Sequence, residues 1–128
     1  MASYNLEKEP TRPECQLYII NPNSGHIFEV NAIADTGCDM TMIPDMITKQ
    51  LGNLIESIVR YKGVNGVITE TRTYLVNIRV DGYDFNRVEV VGIRKEYALI
   101  GRDILNRNKA SFDANRNCWR LDCSGNCT

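Results

Sequence analysis

The sequence predicts an all-β domain whose short strands curl into a closed barrel, with one or two short helices. Three observations predict it. Short runs rich in Val, Ile, Thr, Tyr and Phe recur along the 128-residue chain, the residue types that pack well on a pleated surface. Turn signals separate these runs: Pro22-Asn23-Ser24-Gly25, Asn65-Gly66 and Asp81-Gly82,. One run sets Phe28, Val30 and Ala32 against Ile27, Glu29 and Asn31, the two-residue period of a strand with one buried face. A sheet of many short strands must protect its edges, and closing or curling achieves this.

In chain order, residues 1–14 are polar, carry Pro10 and Pro13, and read as a flexible arm,. The folded domain is expected over 15–122, with a short tail at 123–128. "CQLYIIN" (15–21) and "HIFEVNAIA" (26–34) form a hairpin across the Pro22–Gly25 turn,. Pro44 is suited to open a short helix, "PDMITKQLG", which Gly52 ends,. Residues 54–82 give two long strands around a Gly63-Val64-Asn65-Gly66 tip, and 83–93 add a third after Asp81-Gly82,. "ALIG" (98–101) is a brief buried strand, "RDILNRNK" a short helix, and 110–122 a closing hairpin.

Composition narrows the function classes. Apolar residues make up 43% and charged residues 24%, with a net charge of −1 and no clustering of either sign. This is ordinary for one globular domain and gives no electrostatic reason to expect a nucleic acid or a membrane as partner. The polar N-terminal stretch does not read as a signal peptide,. The expected location is the cytoplasm, for a free chain or one released from a larger polyprotein. Five cysteines, Cys15, Cys38, Cys118, Cys123 and Cys127, argue for free thiols or a tail disulfide rather than a disulfide framework,. The last three fit no common zinc spacing,. No metal site and no cofactor is therefore expected.

The chemistry concentrates in "AIADTGCDMTMIP" (32–44). A carboxylate between apolar runs is costly unless something there holds it. Asp35-Thr36-Gly37 alone would read as a surface turn. Its apolar flanks, the glycine-tipped hairpin and "ALIGRD" at 98–103 change that reading. Together these segments resemble the retropepsin-like aspartic proteases, single-lobed relatives of pepsin, over about residues 15–122. The chain departs from the usual pattern at Ala34 and at Cys38, where alanine is common, and both are small.

The resemblance implies an aspartic endopeptidase with Asp35, Thr36 and Gly37 as its catalytic loop. It also implies a homodimer, because one Asp-Thr-Gly supplies half of a two-carboxylate site. Thr36 would bond across to the partner's loop, and Gly37 would bring its N–H to the carboxylates. The hairpin around Gly63, Val64, Asn65, Gly66 and Val67 maps onto the substrate-covering flap, with Ile68 beside its tip. Asp39 would lie at the substrate backbone, paired with Arg102 of Gly101-Arg102-Asp103. The residues themselves also allow a purely structural, buried Asp39–Arg102 pair, and an Asp103 that caps the following helix. Cys38 reads as a small buried thiol, with a redox switch as the alternative. Met40 and Met42 are expected in the core. The implied partners are a peptide or protein substrate and a second copy of the chain. Two rivals stay open: a catalytically silent dimerisation or peptide-binding module of the same fold, and a metal-binding β-domain built on the C-terminal cysteines.

Overall fold

The computed structural model describes residues 2–7, 12–51, 55–62 and 66–122. Among these, the strands are β1 (Ala2–Asn5), β2 (Arg12–Ile20), β3 (Ile27–Ala34), β4 (Met42–Pro44), β5 (Ile55–Lys62), β6 (Ile68–Val80), β7 (Tyr83–Ile93), β8 (Ala98–Ile100), β9 (Lys109–Asp113) and β10 (Cys118–Asp122). Two one-turn helices, α1 (Asp45–Thr48) and α2 (Arg102–Leu105), complete it. The sheet order is β5-β6-β7-β4-β8-β3-β2-β1-β10-β9, and a further β2–β6 pairing closes it. Six strands, β6-β7-β4-β8-β3-β2, thus form a closed all-β barrel, as the sequence predicts.

Alternation fills the barrel. Leu17 and Ile19 of β2, Ala32 and Ala34 of β3, Val76, Ile78 and Val80 of β6, and Val88 and Val90 of β7 all point into one core. Ile43, Ile100 and Ile104 seal it and have no solvent exposure. Each turn uses the chemistry its sequence offers. Asp81 and Gly82 both take positive φ, at 50° and 80°, the two-residue hairpin geometry that matches strand twist. At the first hairpin, the Asn21 carboxamide accepts the N–H groups of Asn23 and Ser24.

Three expectations need correction. First, the stretch read as a flexible arm contains β1, which pairs with both β2 and β10, and β2 starts at Arg12 rather than Cys15. Ala2 is buried, and Tyr4 packs on the core. Glu14 holds this corner: its carboxylate accepts from Arg12 Nε at 2.6 Å and Asn31 Nδ2 at 2.5 Å. Its backbone carbonyl accepts the Trp119 indole N–H at 3.0 Å. A polar sequence with only two inward-facing apolar positions conceals such a strand. Second, Pro44 does precede the expected short helix, as the N-cap residue of α1, but the residues that lead into it were not expected to form a strand. Met42–Pro44 slots between β7 and β8, and Pro44 ends the strand, where its missing N–H costs no ladder bond. One helical turn follows. Third, the helix expected from Arg102 is also a single turn, because Lys109 already starts β9.

The same packing sets cysteine chemistry. Burial raises the Cys15 thiol to about 12, with the nearby Asp81 charge adding to it. Alkylation requires the thiolate, which at pH 8 would then amount to roughly one part in ten thousand. Iodoacetamide at pH 8 should leave Cys15 unlabelled in the native protein and label it readily in denaturant, as read by peptide mass spectrometry. Equal labelling in both states would contradict the packing of β2 against β1.

Candidate active site

The motif's backbone course sets the site. The chain leaves β3 at Ala34, makes a loop over 35–41 and returns as β4. Between β3 and β4 lies β8, parallel to the first (Ala34↔Ile100) and antiparallel to the second (Met42↔Leu99). The loop therefore arches over the end of β8, and its polar backbone groups need partners there. It finds them. The Asp35 N–H donates to the Ile100 carbonyl at 2.9 Å, and the Arg102 N–H donates to the Cys38 carbonyl at 2.8 Å. Within the loop, the Cys38 N–H donates to the Asp35 carbonyl at 3.1 Å.

At the loop's tip the Gly37 N–H donates to Asp35 Oδ1 at 2.9 Å. A Cβ on Gly37 would stand 3.3 Å from that same oxygen, so the close approach favours a residue without a side chain. Asp35 is half-buried, while Thr36 and Gly37 are exposed on the protomer. Gly101 is tighter still: a Cβ there would meet the Met40 carbonyl carbon at 2.8 Å and the Cys38 carbonyl oxygen at 2.9 Å. Those are backbone atoms, and they cannot yield cheaply.

Asp103 does not cap α2. The N-cap position belongs to Gly101, with no side-chain bond. Instead Asp103 clamps Thr41. Its Oδ2 accepts the Thr41 N–H at 3.0 Å, and its Oδ1 accepts the Thr41 hydroxyl at 2.7 Å and the Ile104 N–H at 2.9 Å. The Thr41 oxygen in turn accepts the Gly101 N–H at 3.1 Å. Thr41 is fully buried, so each of these bonds replaces water that cannot reach it. Sequence reasoning missed Thr41. The signal was there: one hydroxyl residue inside the apolar run Met40-Thr41-Met42-Ile43.

Asp39 and Arg102 do pair. The pair is not buried, however: their side chains are 82% and 50% exposed. An exposed pair contributes at most about 1 kcal/mol, so it does not carry the loop's stability in the isolated protomer. Cys38 is buried, its thiol donating to the Met40 carbonyl at 2.9 Å. Burial also raises its pKa, which disfavours the thiolate a redox switch needs. Met40 and Met42 are half-buried rather than core residues.

The reason for Met42's position lies in the register. Ile33↔Leu99, Leu99↔Met42, Met42↔Val91, Val91↔Thr73 and Thr73↔Ser57 are successive partners across six strands. Paired residues point to one side of a sheet, and this row is on the side opposite the barrel core. Ile33, Met42 and Leu99 thus form a half-buried apolar strip beside Asp35. At the far end the β5–β6 hairpin projects, with Gly66 at φ 81° and Val67 and Ile68 exposed. Gly63, Val64 and Asn65 of the expected flap tip lie outside the described residues, as do Cys123 and Cys127. A groove of about 690 Å³ opens elsewhere, between β1, β2 and the Asp81-Gly82 turn, and is lined by none of Asp35, Thr36 and Gly37. No helix among the described residues is long and apolar enough to cross a membrane.

The Thr41 clamp is directly testable. Thr41→Val keeps the shape but leaves Gly101 N–H and one Asp103 lone pair without a partner. It should lower unfolding free energy by about 1–3 kcal/mol in a urea titration, and Thr41→Ser should lower it less. A valine variant as stable as wild type would contradict the clamp.

Comparison with known proteins places this arrangement. The profile of a family described as gag-polyprotein putative aspartyl protease matches residues 24–107. Among solved structures, a retropepsin-like aspartic protease from Rickettsia conorii superposes with a TM-score of 0.68 at 15% identity, over 96% of this chain and 89% of that one. The protease of simian foamy virus (mac) gives 0.56 at 16% identity, over 73% and 91%. A foamy viral protease-reverse transcriptase, solved with an RNA/DNA hybrid, gives 0.52 at 21% identity. That match covers 71% of this chain but only 11% of the larger protein. At such identities the likeness is one of fold. No curated protein matches the chain.

Proposed function

Because the chain belongs to the gag-polyprotein putative aspartyl protease family, with a retropepsin-like fold, we propose that it is a homodimeric aspartic endopeptidase in which Asp35 of each protomer supplies one carboxylate. The observation that carries the reading is the loop at the end of β3. A half-exposed carboxylate there is fixed by the Gly37 N–H, on a loop whose backbone is held from β8 and α2.

One such carboxylate is a weak base towards water at neutral pH. Two carboxylates about 3 Å apart share a proton, a behaviour established for aspartic-protease dyads in general, and so present a base and an acid together. The ionised Asp35 takes a proton from a water that attacks the scissile carbonyl. The protonated one gives its proton to the carbonyl oxygen. A tetrahedral diol results, and no acyl-enzyme forms. Thr36, exposed beside Asp35, is available to bond the partner's loop across the two-fold axis.

The substrate would lie extended between the hairpin and the cleft floor, adding a strand. Asp39, with Arg102 beside it, would meet its backbone, and Gly63–Val67 would close over it. The Ile33–Leu99–Met42 strip favours apolar side chains near the scissile bond. Met42 is an adaptable surface for them. The dyad's shared proton sets an acidic to mildly acidic working range.

Cleavage of casein from about pH 4 to 7 tests this. Asp35→Asn keeps an oxygen for the Gly37 N–H but cannot exchange a proton, and should lower activity by at least about 100-fold. Pepstatin should inhibit wild type. Activity surviving Asp35→Asn would overturn the mechanism. Inactivity of a demonstrably dimeric wild type would favour the silent binding module.

A further inference from the structure

The hairpin that projects from the barrel has a defined root. β6 pairs with β7 only from Thr73 onward (Thr73↔Val91), so residues 68–72 pair with β5 alone among the described residues. At the same level β5 carries an irregularity between Ile55 and Ser57, the signature of a bulge that re-aims a strand. Three polar side chains meet there. The Thr73 hydroxyl donates to Glu89 Oε1 at 2.6 Å, and the Ser57 hydroxyl donates to the same oxygen at 2.7 Å. The Ser57 N–H donates to Thr73 Oγ1 at 3.1 Å. Thr73 has no solvent exposure, and Val91 beside it is also buried.

The two hydroxyls also lie 2.9 Å apart and the Thr73 hydroxyl 3.3 Å from the Ser57 carbonyl, and the shortest bond open to each hydroxyl is the one it donates to Glu89 Oε1,. Hydrogen bonds from Thr73 and Ser57 hold the Glu89 carboxyl below its ordinary range, so it is ionised at neutral pH and receives charge-assisted bonds. One carboxylate on β7 thereby ties both strands of the hairpin to the barrel, at the end of the row that starts beside Asp35.

We propose that Glu89, acting through Ser57 and Thr73, is the anchor from which the hairpin arms 57–62 and 66–73 are held beside the cleft, and so a positioning residue for substrate. Its kinetic consequence rests on the protease reading; the anchor itself does not. Beyond the anchor, the described residues of the hairpin include an exposed Arg60–Glu70 pair and exposed Ile58 and Ile68. Loosening the root should therefore free the hairpin as a unit while the barrel stays closed. Substrate affinity would fall, because a mobile cover must be ordered at each binding event.

The test is hydrogen exchange by mass spectrometry on full-length wild type, Glu89→Ala and Glu89→Gln, with steady-state kinetics on a cleavable peptide. In Glu89→Ala, exchange over 57–62 and 66–72 should speed up by about fivefold or more, the factor for one lost net hydrogen bond. Peptides from β2 and β3 should be unchanged. Glu89→Gln retains an acceptor oxygen and should restore most of the protection. KM should rise several-fold in Glu89→Ala with kcat nearly constant. Unchanged hairpin exchange in Glu89→Ala would overturn the anchor. So would acceleration spread equally over β2 and β3, which marks a general loss of stability. If wild type cleaves nothing, the exchange pattern still decides the anchor, and the failure belongs to the protease reading alone.

Discussion

The Asp103 carboxylate is the constraint on which the site depends. β8 threads between β3 and β4, so the loop joining those two strands must cross its end. A loop in that position would leave buried donors unpaired. Asp103 removes the problem by taking the N–H and hydroxyl of Thr41 together with the Ile104 N–H. Thr41 then passes the restraint to Gly101. The carboxylate proposed to do chemistry, Asp35, is fixed in turn by a glycine N–H from the same loop. One carboxylate holds the frame and the other is left half-open for reaction.

That division explains why adjacent acidic residues behave so differently. Asp103 is enclosed by donors and is committed to structure. Asp39 reaches out to Arg102 at the protomer's surface, where water screens the pair. A pair that contributes little to one protomer has room to matter where a second copy or a substrate displaces that water. Glu89 repeats the structural use at the root of the β5–β6 hairpin, receiving hydroxyls from two strands. Asp103 and Glu89 thus act as acceptors that tie neighbouring elements together, whereas Asp35 takes a single loop N–H, through Oδ1.

Much of this was legible in the sequence, because period-two alternation and Asp-Gly turns are local signals. β3, the β6–β7 hairpin and the terminal β9–β10 hairpin follow directly from them. What escaped depends on distant partners. β1 is polar to the eye, and its pairing with β2 and β10, with Ala2 buried and Tyr4 packed on the core, is set by residues far along the chain. Met42–Pro44 is too short to carry a period, and β7 and β8 recruit it from either side. Within the site, Asp35-Thr36-Gly37 and Gly101-Arg102-Asp103 stood out as motifs. Thr41, Ser57, Thr73 and Glu89 did not, since a hydroxyl's importance is fixed by what three-dimensional packing denies it. Asp103 was recognised as a partner for the start of α2, where it does accept the Ile104 N–H, but its bonds to Thr41 were not foreseen.

The central claim is that each protomer holds half a site and that Asp35 meets its own symmetry mate. Subunit mixing tests this most directly. Wild type is equilibrated with increasing proportions of Asp35→Asn protomer at fixed total concentration, and peptide cleavage is measured. If both carboxylates are required, mixed dimers are inactive, and activity falls as the square of the wild-type fraction. A linear or shallower fall would mean that an Asp35 works without its symmetry mate, and the shared-dyad account would be wrong.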